Sequence, residues 1–356
     1  MLSKISLFLL LPFGFLYGCV VAVIRGLYKV GFIRIWRFPS LLIIKIGNLS
    51  VGGTGKTPHT AFLLHYFEKK SKKVAVVSRG YGRLSPNDQF VELSALPAQV
   101  GDEPLMLKTQ FPNVPIVVAR RRAAGLQLLQ KTTPYIQVAL LDDAMQHWAV
   151  QSDLDILLTT FSQPFFADFP LPAGRLREFR TQFIRAKIII VTQCPPILLQ
   201  KNENFFKKSI NLQKNQILLF SYYDYAPPYS LADVAQTLTW QALAQYKVLT
   251  VLAIAQTHYI SQFLATHTQQ SQIIAFGDHH LFIQNDIDFI IPAFQRNDFD
   301  CILTTEKDAV RLRPFLADFQ RAQIAVFVLP IVVQFHNDGE TILDQFLSPF
   351  LAKISN

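Results

Sequence analysis

Between Leu41 and Pro58 the chain reads LLIIKIGNLSVGGTGKTP. Gly52, Gly53 and Gly55 put residues without a side chain into one short turn, so backbone N–H groups there can approach an anion closely. Lys56 is placed to reach the outer phosphates of a nucleotide, and the Thr57 hydroxyl to complete the coordination of a Mg²⁺. The usual spacing G-x-x-x-x-G-K-[ST] wants glycine at position 50, where this chain has Ser50. A tight glycine turn between a strand and a helix would also explain the glycines. Gly-Lys-Thr in this context favours phosphate, so Ser50, Val51, Gly52, Gly53, Thr54, Gly55, Lys56 and Thr57 are expected to hold a nucleoside triphosphate.

Carboxylates recur at the ends of other apolar runs. Residues 136–141 lead into Asp142 and Asp143, with Gln146 and His147 just behind. A carboxylate there, downstream of a phosphate loop, is the arrangement that holds Mg²⁺ through oxygen ligands. Gly101-Asp102-Glu103-Pro104 sets two carboxylates behind a glycine; Asp102 can cap a helix, and it is also a candidate base. Arg79 and Arg83 flank the glycines of SRGYGR, and residues 115–119 end in Arg120, Arg121 and Arg122. For that triplet a solvated face and phosphate recognition both stand open. FADFPLPAGRLREFR is longer than an ordinary connection, which points to function. Phe276-Gly277-Asp278-His279-His280 offers a structural histidine, a weak metal pair or a catalytic histidine tuned by Asp278.

These residues need a scaffold. Apolar runs at 41–46, 74–78, 115–119, 136–141, 155–160 and 186–192 alternate with helical stretches, as buried strands of a parallel sheet do. Functional residues at the carboxyl ends of such strands meet at one sheet edge. The rhythm restarts with strands near 217–222, 248–254, 272–276, 300–304 and 325–329, without a second Gly-Lys-Thr. The expected fold is α/β: a P-loop NTPase-type parallel sheet flanked by helices, a second smaller α/β domain and an N-terminal apolar membrane-associated helix. The expected domains are 1–39 for the membrane-associated segment, 40–215 for the nucleotide-binding domain, and 216–356 for a second domain closing over the active site.

Composition narrows the partners. In 356 residues there are 30 phenylalanines and a formal net charge of +9, with a mean hydropathy of +0.24. That balance suits an acidic partner such as a nucleic acid, an anionic lipid or a phosphorylated substrate. Cys19, Cys194 and Cys301 are too far apart for a zinc site or a disulfide framework, which fits a reducing compartment. Ile5 to Ile24 carries no charge over twenty residues, the minimum for a transmembrane helix, and Arg25, Lys29, Arg34 and Arg37 follow among apolar and aromatic residues. Positive charge after the apolar run keeps that side cytoplasmic. A secretory signal is disfavoured, because the segment leads almost directly into a site for a cytoplasmic nucleotide and shows no clear cleavage site.

Taken in order, NLSVGGTGKTP, SRGYGR, GDEP, DDAMQH, PAGRLRE, FGDHH and TTEKDAVR resemble the tetraacyldisaccharide 4'-kinases, the lipid A 4'-kinases of Gram-negative bacteria. The resemblance covers about residues 40–310. It implies phosphoryl transfer from ATP, with Mg²⁺, to the 4'-hydroxyl of a lipid A disaccharide 1-phosphate at the cytoplasmic face of the inner membrane. It further implies Asp102 acting with His279 to activate the hydroxyl, Asp278 orienting His279, and Lys56 with the loop amides on the phosphates. Thr57, Asp142, Asp143 and Glu103 would serve the ion. Arg177, Glu178 and Arg121 would lie near the reacting groups, and Tyr81 near the nucleotide. The chain departs from the family in Ala144-Met145, where Gly-Phe is usual; alanine takes positive φ less freely, so this turn is expected to differ slightly.

Two other classes share parts of this pattern. A switch or partitioning-type P-loop ATPase or GTPase would act on a protein partner, but its extra lysine before the glycine pair is Val51 here, and no N-K-x-D base reader is found. A nucleic-acid-dependent ATPase rests on charge alone, since the basic residues cluster beside apolar runs. No nucleic acid and no stable protein partner are expected.

Overall fold

A computed structural model describes residues 4–253, 257–278 and 280–354; among these, the side chains of residues 4–8 and 258 are not described. By packing, the chain divides into two units. One comprises residues up to Ser94, Leu107–Tyr223 and those from Val333 on; the other comprises Ala95–Met106 and Asp224–Val332. The division along the chain thus falls at 223/224, and two short segments, 95–106 and the C-terminal stretch, belong with the unit other than that of their sequence neighbours.

The strands in chain order are β1 Leu42–Asn48, β2 Val74–Ser78, β3 Gln89–Phe90, β4 Ile116–Val118, β5 Val138–Leu141, β6 Leu154–Thr160, β7 Ile188–Thr192 and β8 Ile217–Tyr225. They continue as β9 Tyr229–Ser230, β10 Lys247–Leu252, β11 Gln270–Ala275, β12 Cys301–Thr305, β13 Val326–Leu329 and β14 Ile331–Phe335. The larger sheet has the order β14-β8-β7-β6-β1-β5-β2-β4-β3. Its strands from β8 to β4 pair in parallel, with Ile43 opposite Ala139 and Ile46 opposite Ile156 beside the central β1. Every residue of β1 is buried, as both-face coverage of a parallel sheet requires. Its one charge, Lys45, donates to the Val150 carbonyl at 2.7 Å, and burial pushes its pKa down. One core lies around Ile43, Val77, Val117 and Leu126, another around Leu157, Ile189, Val191 and Phe206.

This order has a consequence for chemistry. β1, β5, β2 and β4 are neighbours and parallel, so the turns after Asn48, Leu141, Ser78 and Val118 leave from one edge. Those turns carry the glycine loop, the paired aspartates, SRGYGR and the arginine triplet.

The second unit holds a five-stranded sheet, β11-β10-β12-β13-β9, parallel except for β9 against β13. Leu249, Val251, Ile302 and Val328 fill its core with Ile287 and Ile290 of the helix Gln284–Arg296. Helix α1, Lys4–Lys29, belongs to the first unit, and helix α2, Lys56–Lys69, follows the glycine loop.

Candidate active site

The loop after β1 bends through left-handed backbone at Gly52 (φ 109°) and Gly55 (φ 82°), where only glycine is relaxed. A β-carbon on Gly52 or Gly53 would meet nothing within 4 Å, whereas one on Gly55 would strike the Tyr223 hydroxyl. One side of the turn is therefore open and the other braced. Asn48 Nδ2 donates to Thr54 Oγ1 at 2.8 Å, Thr192 Oγ1 to the Thr54 carbonyl at 3.0 Å, and Gln193 Nε2 to the Gly53 carbonyl at 3.1 Å. His59 completes the brace. The Gly55 carbonyl can only accept, so Nδ1 carries the proton at 2.7 Å, and Nε2 accepts from Ser221 Oγ at 2.9 Å. Burial drives the His59 pKa down to about 4, keeping the ring neutral.

The aspartate pair divides its work. Asp142 is buried; its Oδ1 accepts from Thr60 Oγ1 at 3.2 Å and its carbonyl from Arg122 Nη2 at 2.6 Å. Asp143 sits at φ 45° with its carboxylate partly exposed, 3.8 Å from Lys56 Nζ and 3.1 Å from Arg177 Nη1. The left-handed residue of this turn is thus Asp143. Ala144 is fully buried and donates its N–H to the Ile46 carbonyl at 3.1 Å, so the departure from Gly-Phe leaves the left-handed position to an aspartate. The close approach falls instead on Gly47, where a β-carbon would lie 2.8 Å from Met145.

The PAGRLRE loop runs along the entrance of the glycine loop. Val51 N donates to the Arg175 carbonyl at 2.8 Å and Arg177 N to the Leu49 carbonyl at 2.7 Å, around a bridge between Ser50 and Leu176. Arg177 Nη1 also donates to Gln146 Oε1 at 3.2 Å; Gln146 Nε2 in turn donates to the Asn48 carbonyl at 2.9 Å and to Glu178 Oε1 at 2.8 Å. Arg185 clamps the buried Glu178 with two nitrogens at 2.6 and 2.7 Å. A continuous polar line therefore joins Arg185, Glu178, Gln146, Arg177, Asp143 and Lys56, which the sequence placed in four separate segments.

The arginine triplet goes three ways. Arg120 lines a cavity of about 390 Å³ with Arg79, Arg83 and Tyr81. Arg121 is exposed at the start of the helix Arg122–Thr132. Arg122 is buried beneath the aspartate turn, and burial pushes its pKa down to about 10. The Arg122 N–H faces His147 Nε2 at 3.3 Å; burial first, then the Arg122 charge, bring His147 to about 4.

In the second unit, Asp102 opens the helix Asp102–Gln110, followed by Glu103. Its Oδ2 accepts from Arg311 Nε at 3.0 Å and pairs with Nη2 of the same fork. Arg311 is buried and also faces Asp308 Oδ1 at 3.4 Å. Asp278 lies 3.8 Å from Lys307 Nζ, and His280 meets Asp286 at 2.7 Å while stacking on Phe276. The expected role of His279 lies outside the described residues.

A family model described as Tetraacyldisaccharide-1-P 4'-kinase matches residues 6–348. The chain belongs to that family. It is 39% identical over 338 residues to the tetraacyldisaccharide 4'-kinase of Bacteroides thetaiotaomicron, covering 91% of this chain and 88% of that one. It is 34% identical over 339 residues to the enzyme of the same name from Cytophaga hutchinsonii, covering 94% and 93%. Among solved structures it is similar to LpxK from Aquifex aeolicus, in a crystal structure described as an "apo" form in complex with ATP. The TM-score is 0.75 at 25% identity, with 97% of this chain and 99% of that one covered.

In this member of the tetraacyldisaccharide 4'-kinase family, several residues that hold the candidate residues in place carry little or no signal in the sequence. Arg311 pairs with Asp102 across 209 positions; its only local signal was a basic residue in TTEKDAVR, one turn into a helix after an apolar strand. Arg185 and His59 carry none: the first acts on the buried Glu178 and the second through its own burial, and spacing alone reveals neither.

Proposed function

We propose that this chain transfers the γ-phosphoryl group of ATP to the 4'-hydroxyl of a tetraacyl disaccharide 1-phosphate, at the cytoplasmic face of the inner membrane. The observation that carries the reading is the line from Lys56 through Asp143 to Arg177 beside an open glycine turn. Phosphoryl transfer needs positioning and charge neutralisation more than covalent help. The loop amides of Gly52–Gly55 and the α2 N-terminus suit the phosphates, the Val51 N–H being taken by the Arg175 carbonyl, and Lys56 and Arg177 suit the charge on the transferred group. Thr57, Asp142, Asp143 and Glu103 are oxygen donors of the kind magnesium selects, and the ion would add neutralising charge there.

Asp102 is proposed to take the hydroxyl proton, with the Arg311 fork fixing its carboxylate and His279 and Asp278 assisting. Glu178 holds Gln146 and, through it, Arg177 in place. The cavity among Arg79, Arg83, Arg120 and Tyr81 suits the phosphate that the acceptor already carries, and Arg121 stands beside it in sequence.

Helix α1 supports the membrane assignment. At 26 residues it is about 39 Å long, enough for a hydrocarbon core of roughly 30 Å. Phe13, Phe15, Leu16 and Val23 are each more than 60% exposed. The segment beyond adds exposed Val30 and Phe32 and an Arg34 guanidinium stacked 3.8 Å over Trp36, a combination suited to an anionic interface.

The test is to incubate the protein with ATP, Mg²⁺ and the disaccharide 1-phosphate in detergent micelles and analyse the lipid by mass and phosphorus NMR. One added phosphate at the 4' position, absent with Lys56→Ala, supports the reading. ATP consumption with unchanged lipid contradicts it.

A further inference from the structure

We propose that α1 is a strut for the loop carrying Arg177 and Glu178, and that Tyr17 is a positioning residue for Arg177. This role is separate from any that the helix has at a membrane, and it rests on the reading of Arg177 as serving the transferred phosphate. Gly14, Tyr17, Gly18, Val21 and Arg25 recur at spacings of three and four, so they share one helix face. That face meets the loop. A β-carbon on Gly14 would lie 2.8 Å from the Pro170 carbonyl oxygen and 3.0 Å from the Ala173 β-carbon, and one on Gly18 would strike the Phe179 ring. Residues without side chains let the two backbones approach, as they do where helices pack closely.

The contact is polar at its centre. Tyr17 Oη donates to the Arg177 carbonyl at 3.2 Å, while Arg177 N donates to the Leu49 carbonyl at 2.7 Å on the glycine-loop entrance. The Arg177 backbone is therefore gripped from α1 on one side and from the P-loop strand on the other, with its guanidinium on Asp143 and Gln146. Arg25, one turn beyond Ala22, lines a small cavity with Glu178 and Phe179. The opposite face, with Leu9, Phe13, Leu16 and Val20, stays more than half exposed. An anchor requires only that second face. The glycines and the tyrosine on the first face have work only if the helix holds the loop.

The test uses full-length protein in mixed micelles, where lipid is presented without a bilayer, together with cosedimentation on phosphatidylglycerol vesicles. Tyr17→Phe is expected to lower kcat about three- to tenfold, the effect of one hydrogen bond. Gly18→Leu displaces Phe179 and is expected to lower kcat on the order of a hundredfold. Both keep the KM for ATP within about twofold and bind vesicles as the wild type does. The paired change Phe13→Ser and Leu16→Ser on the opposite face loses vesicles and keeps kcat in micelles. Unchanged kcat in Tyr17→Phe and Gly18→Leu overturns the strut, as does a loss of kcat that tracks vesicle binding across the set. Where Gly18→Leu does not fold, the kcat of Tyr17→Phe decides. Arg177→Ala separates the layers: full activity there overturns the role of Arg177 itself, whereas its loss beside an unaffected Tyr17→Phe overturns only the strut.

Discussion

Neutral, buried His59 gives the protein a stability profile that can be calculated. Its ring is held at about 4 in the folded chain, against an ordinary histidine value of about 6.5. A folded pKa below the unfolded one means that the unfolded chain binds the extra proton first. The stabilising contribution is thus complete above about pH 6.5 and disappears as pH falls toward 4. Between pH 7 and pH 4.5 the loss comes to roughly 2–3 kcal/mol. For a unit of about 235 residues that corresponds to a fall in Tm of roughly 5–10 °C.

The assay is scanning calorimetry of wild type and His59→Asn across that pH range. The variant is less stable at pH 7, because the Ser221 contact is lost, but it lacks this ionisation. Its Tm should therefore fall by roughly 5–10 °C less than that of the wild type over the same interval. His147, also at about 4, remains in both proteins and cancels in the difference. Parallel Tm curves for the two proteins would refute the buried, neutral state of His59 and with it the brace on the Gly55 carbonyl.

Three further outcomes follow from the same geometry. Gly55→Ala meets both a left-handed backbone and the Tyr223 hydroxyl, so ATP binding measured by calorimetry should weaken at least about a hundredfold while the fold persists. Arg311→Ala leaves buried Asp308 without its cation; urea unfolding should show a loss of about 3–5 kcal/mol and initial rates a fall in kcat, with Arg311→Lys recovering stability more than rate. Replacing Arg79 and Arg120 together by glutamine should raise the KM for the lipid about tenfold or more while leaving that for ATP unchanged, as measured by initial rates at varied substrate.

Much of the large sheet was legible because parallel strands covered on both faces announce themselves as short apolar runs. The runs at 74–78 and 136–141 match β2 and β5 closely. The two-residue strands β3 and β9 carry no periodicity to read. The return of the C-terminal helix Gly339–Ala352 to the first unit, and the passage of 95–106 to the second, depend on contacts between distant segments rather than on any local pattern.

Within the site, residue type predicted which side chains could bind phosphate or ion but not how they divide the work. Arg120, Arg121 and Arg122 are alike in sequence; burial makes the third a brace under Asp142 and leaves the second exposed. Asp142 and Asp143 diverge in the same way, one enclosed by Thr60 and Arg122, the other turned out by a left-handed backbone toward Lys56. The apolar N-terminal run was readable as a membrane helix from composition. Its second face was not, because Gly14 and Gly18 look like interruptions until Pro170 and Phe179 are seen against them.

The most direct measurement of the central claim is the fate of the label from γ-labelled ATP, followed in the lipid and inorganic phosphate fractions of one reaction. The account predicts label in the disaccharide with wild-type protein, and little in either fraction with Lys56→Ala or Asp102→Asn. Label released as inorganic phosphate by the wild type, with none in the lipid, would contradict it.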